Sequence, residues 1–182
     1  MNDLDRARVD PFQPEIAKGL VIELFRSQGF PVDDDAIEPV LKEVELFVTF
    51  FLQLLVSATC KLARDRKEKI SPTLISEAYR DRVINVESRT YFEHFHSRLK
   101  DYYEPDQEQA AQKMLKQLAL KKSLTIRDLR IISLREVPGL SDDVFNHLLG
   151  DLENDFYLRR QDDSYIFHTK ILRDWWLRFY SY

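Results

Sequence analysis

Residues Ser141 to Thr169 read SDDVFNHLLGDLENDFYLRRQDDSYIFHT, a helix followed by a hairpin. Ser141 offers a hydroxyl to the first free N–H groups of a helix, and Asp142 and Asp143 put negative charge at its positive end. Val144, Leu148, Leu149 and Leu152 recur at helical spacing, so the helix runs over 142–155. Two short runs follow, Phe156 to Arg160 and Tyr165 to His168. The polar residues Gln161, Asp162, Asp163 and Ser164 join them as a turn.

Upstream, the pattern predicts a helix from Gln109 to Lys122 and a shorter one opened by Thr125 and running to Leu134. Pro138-Gly139 makes the turn into the stretch quoted above. Downstream, a helix from Thr169 to Tyr180 returns Leu172, Trp176 and Phe179 to the body. Three helices followed by a hairpin is the order of a winged helix. The predicted class is therefore mainly all-α, with a winged-helix domain over 105–182 and a small β-hairpin wing.

Residues 13–104 read as a helical bundle, with 1–12 a tail or linker. Ile16, Leu20 and Leu24 follow Pro14 at helical spacing and stop before Gly29. Asp33, Asp34 and Asp35 open the next helix, whose apolar stripe is Ile37, Val40, Leu41, Val44, Phe47 and Val48. Thr49 to Lys67 is apolar on most sides and belongs at the centre of the bundle. Ser71-Pro72 starts another helix, whose stripe is Ile75, Tyr79, Arg82 and Val83 with Ala78 alongside. The last begins near Ser88 and carries Phe92, Phe95, Leu99 and Tyr102. It ends at Glu104-Pro105, since proline disfavours helix in the residue before it. Pro105-Asp106 is the expected boundary between domains.

The 182 residues are 44% hydrophobic and 32% charged, a composition that can bury a core. Only four glycines interrupt it, which favours helices over many tight turns. One cysteine, Cys60, excludes an internal disulfide and fits a reducing, cytoplasmic setting. Leu46 to Leu62 is the most apolar stretch, but Thr49, Gln53, Ser57, Thr59 and Lys61 interrupt it about once per turn, so a core helix is expected and not a membrane span.

Five segments in this order resemble the C-terminal half of prokaryotic AAA-like and STAND-type P-loop ATPases. They are FFLQLLVSATCKLA (Phe50 to Ala63), ISPTLISEAYRDRV (Ile70 to Val83), YFEHFHSRLKDYY (Tyr91 to Tyr103), LLGDLENDFYL (Leu148 to Leu158) and YIFHTKILRDWW (Tyr165 to Trp176). The resemblance implies a lid-like helical bundle, then a winged helix, packed on an ATPase core and moving with its nucleotide state. No Gly-rich loop ending in Gly-Lys-Ser/Thr occurs here to cradle phosphates, so ATP hydrolysis is not carried over. The chain is expected to be a C-terminal portion separated from such a core, or a relative that works without nucleotide.

No catalytic constellation, cofactor site or metal site is legible. His94 and His96 are two apart on a helix and point to different sides, while His147 and His168 are distant in sequence. Cys60 sits on the most apolar helix, where a thiol is inert. Tyr91, His94 and Arg98 share one helical face, and Trp175 is an aromatic that can anchor a partner. These four form the candidate interface to a protein partner or ATPase core. Arg98 could instead pair with a nearby acid such as Glu93 or Asp101.

The 142–155 helix carries Asp142, Asp143, Asp151, Glu153 and Asp155 and no Lys or Arg, which opposes docking into a DNA groove. A basic stretch lies just before it: Lys113, Lys116, Lys121, Lys122, Arg127 and Arg130, with Arg135 beyond and Arg159 and Arg160 near the wing. That stretch suits a phosphate backbone or an acidic protein surface. The expectation is a regulatory protein-interaction module, with DNA binding as the alternative.

Overall fold

The computed structural model describes residues 11–86 and 89–180. The expected tail up to position 10 and the helix start at Ser88 lie outside the described residues. Of the described residues 73% are helical, and they include one small three-stranded antiparallel sheet. It divides into two compact units, the first ending at Val83 and the second beginning at Ile84.

The first unit is built from α1 (Pro14–Ser27), α2 (Asp34–Val44), α3 (Thr49–Arg66) and α4 (Pro72–Ala78), the last continuing as a π-helical turn over Tyr79–Val83. Ser71 caps α4 by accepting a hydrogen bond from the Leu74 N–H at 3.2 Å, and Pro72 follows where its missing N–H removes no helical bond. α2 is shorter than the apolar stripe suggests. It stops at Val44 because Glu45 takes φ 58°, so Phe47 and Val48 leave the helix. α3 supplies the centre of the core through Leu52, Leu55, Val56 and Cys60, all fully buried, and Ala17, Val21, Phe25, Val40 and Ile75 close around them. Thr59 is buried too, its hydroxyl donating to the Leu55 carbonyl one turn back at 2.8 Å.

The second unit contains α5 (Arg89–Tyr102), α6 (Pro105–Lys121), β1 (Leu124–Thr125), α7 (Ile126–Glu136), α8 (Asp142–Asn154), β2 (Leu158–Gln161), β3 (Ser164–Phe167) and α9 (Lys170–Tyr180). The boundary expected at Pro105-Asp106 lies inside this unit. Pro105 does end α5, but it also opens α6, where Glu104 and Gln107 form a reciprocal cap. α5 belongs here because its inward side chains pack on the second core: Phe92 lies 5.6 Å from Trp175, and the Tyr157 hydroxyl donates to the Phe95 carbonyl at 2.5 Å.

β3 is the middle strand, flanked by β1 and β2. Leu158 pairs with Phe167 and Gln161 with Ser164, leaving Asp162 and Asp163 as the hairpin tip, with Asp162 at φ 53°. The two-residue strand β1, which pairs Leu124 with Tyr165, has no periodicity of its own to announce it. α9 buries Ile171, Leu172, Trp175 and Trp176 together. At about 100° per residue these positions span about 140° of the helix, so α9 is covered on a broad face rather than along a narrow seam. No described helix is long and apolar enough to cross a membrane.

Candidate interaction surface

The four residues expected to form one interface do not do so. Trp175 is fully buried, its ring against Phe92, Phe179 and Tyr180 at 5.0–5.6 Å. It is a core residue for the same reason as Trp176: both fall within the broad covered face of α9. Arg98 reaches across to Asp155 at 2.8 Å and lies over the Tyr102 ring, so a structural ion pair occupies it. The acid is neither Glu93 nor Asp101, because the partner comes from the far end of α8. Tyr91 is exposed, and His94 stacks near Phe95 at 4.3 Å. Partial burial, with Arg98 alongside, holds the His94 imidazole below its ordinary range, opposed by a backbone hydrogen bond to Tyr91.

The basic stretch separates into committed and uncommitted cations. Lys113 pairs with Glu136 at 3.1 Å. Arg130 is half-buried: it pairs with Asp142, donates to the Leu140 carbonyl at 2.9 Å, and stacks over Phe145. It joins α7 to the start of α8 and drops out of the patch. Lys121, Lys122, Arg127 and Arg135 are exposed and form no ion pair with any described residue. Asp128, the one acid among them in sequence, is turned to a local task. Its carboxylate accepts from the Thr125 N–H and hydroxyl at 3.0 and 2.7 Å, and those bonds hold it below the usual carboxylate range.

Composition alone did not disclose the apolar part of this surface. α7 buries Leu129 and Ser133 and turns Ile131 (48% exposed), Leu134 (36%) and, at its start, Ile126 (48%) outward. Helical geometry sets Ile131 and Leu134 one turn apart, with Arg127 four residues before Ile131 and Arg135 four after it. A shallow groove of ≈ 170 Å³ runs beside this face, lined by Lys113, Gln117 and Lys121 of α6 and by Asp128, Ile131, Ile132, Arg135 and Glu136 of α7. The signal lay in the Ile131, Ile132 and Leu134 cluster, which is too apolar for a helix with one buried edge.

α8 presents the opposite charge. Asp142, Asp143 and Asp151 are exposed along it, while Phe145, Leu148, Leu149 and Leu152 are buried. Arg159 and Arg160 are exposed on β2, Arg160 donating to the Asp162 carbonyl at 3.1 Å. Elsewhere in the unit, His96 stacks flat on Tyr180 at 3.8 Å beside a cleft that Lys116 also lines. Among the described residues no cluster of His, Cys, Asp and Glu is arranged to hold a metal ion. In comparisons with protein-family models, curated proteins and solved structures, no match to this chain is found.

Proposed function

We propose that this chain is a regulatory protein-interaction module, in which a helical bundle precedes a winged helix and the outer face of α7 is the contact surface. The winged-helix assignment is supported by the order α6, β1, α7, α8, β2, β3 and by the strand order β1-β3-β2. The single observation that carries the functional reading is the exposure of Ile131 and Leu134 between Arg127 and Arg135. Phosphate contacts need only donors and cations, and exposed branched side chains add nothing to them. A protein surface uses both, with apolar side chains buried at the centre and charges at the rim. In the ATPase resemblance the partner would be a P-loop core, and the module would report its nucleotide state by moving with it.

DNA binding is the second reading, favoured by the unpaired Lys121, Lys122 and Arg127 and by the two arginines of β2. Against it stands the acidic α8, which would face phosphates in the usual groove docking. The deciding experiment is a titration with labelled mixed-sequence duplex DNA at low and near-physiological salt. The module reading expects at most weak binding that vanishes at the higher salt. Retained binding that is lost when Lys121, Lys122 and Arg127 become alanine would replace it with the DNA reading.

A further inference from the structure

We infer that the α7 face takes an acidic amphipathic helix of a partner protein. The inference rests on the module reading and gives its site and ligand class. Four observations support it together. The face is helical, and its 11 residues span about 16 Å, or about three turns. A partner helix can lie along it over the same length. Its centre is apolar, with Ile131 and Leu134 offering a step onto which side chains at helical spacing pack. Its ends are cationic, Arg127 one turn before and Arg135 one turn after Ile131, with Lys121 of α6 on the adjoining groove and Lys122 exposed next to it in sequence.

The local acids neutralise that border only in part. Glu136 is paired with Lys113, and Asp128, bonded to Thr125, offsets only part of the charge of Lys121 and Arg127, so one acid stands against four cations and the face stays net positive. Carboxylates spaced along the flanks of a docked helix would meet them at the rim, where they set orientation and on-rate more than affinity. A basic or uncharged helix would leave Arg127 and Arg135 desolvated without partners.

The test uses the full chain and random peptides of about 16 residues displayed on phage, long enough for about four helical turns. Selection is made against the chain at near-physiological salt, with counter-selection against the variant Ile131→Ser/Leu134→Ser. Both side chains are exposed, so this variant is expected to retain its far-UV circular dichroism spectrum and melting temperature. The expected consensus has apolar residues at i, i+3 or i+4, and i+7, flanked by Asp or Glu. The synthesised winner should bind the chain at least about tenfold more tightly than the Ser/Ser variant. It should also bind at least about tenfold more tightly than a variant with Arg127→Glu and Arg135→Glu. A basic or charge-indifferent consensus, no enrichment, or binding that neither variant weakens would each overturn the inference while leaving the module reading standing. Mixed-sequence duplex DNA that displaces the selected peptide at near-physiological salt would overturn the module reading itself.

Discussion

Arg98 Nη2 donates to Asp155 Oδ1 at 2.8 Å, joining α5 to the residue that ends α8. A carboxylate at a helix C-terminus faces the negative end of the helix dipole, and the guanidinium offsets that unfavourable placement. Both side chains are about one-third exposed, at 37% and 32%. A double-mutant cycle with Arg98→Gln and Asp155→Asn should give a coupling of about 0.5–1 kcal/mol by urea denaturation. A coupling near zero would leave apolar packing and the Tyr157 hydroxyl to hold α5 in the second unit.

Tyr157 is the stronger tether to the same helix. Its ring is fully buried and its hydroxyl bonds the Phe95 carbonyl, with burial pushing the phenol well above its ordinary range. Tyr157→Phe keeps the ring and leaves the Phe95 carbonyl with its helical bond alone, so unfolding free energy should fall by about 1 kcal/mol. Unchanged stability would mean that the hydroxyl's bond adds nothing net to the tether.

Phe156 sits at φ 63° with 55% of its surface exposed, and its ring meets His168 edge-on at 5.1 Å. A bulky side chain in the left-handed region is disfavoured by about 1 kcal/mol. Phe156→Asn relieves that strain, because Asn tolerates the region locally. The denaturation midpoint should rise; a lower midpoint would show that the His168 contact outweighs the strain.

His168 is held below the usual histidine range by burial first and by Arg159 second, against a backbone hydrogen bond to Leu158. An unfolded histidine takes up its proton near pH ~6.5, whereas the folded one does so only at lower pH. Between those points the unfolded state binds more protons, so stability falls as pH drops below about 6.5. His168→Gln should flatten that decline when unfolding is measured between about pH 7 and 5. An unaltered slope would assign the decline to other groups.

Cys60 lies within the first core, where burial raises its thiol to about 11 and Arg64 only partly opposes the rise. In the native protein it should react with a disulfide reagent far more slowly than in urea, since the thiolate is the nucleophile and the native site disfavours it. Equal rates would mean that α3 opens readily.

Local chemistry determined the second unit's helices, its hairpin and their order. Ser141 capping α8, Thr125 capping α7 and the turn at Asp162-Asp163 act through neighbours a few residues away, so a sequence displays them directly. Phe47 and Val48 show where a periodic stripe misleads, because the left-handed turn at Glu45 ends the helix before them. Tertiary packing decided the rest. It buried Trp175 beside Trp176, since a helix wrapped on a broad face hides adjacent residues. It set Arg98 against an acid 57 positions away and paired two-residue β1 with β3, which has no local signal. It also divided the basic stretch, committing Lys113 and Arg130 inside the unit while leaving Arg127 and Arg135 outside around Ile131 and Leu134. Which cations stay available depends on the acids that folding brings within reach, and sequence spacing does not contain that distance.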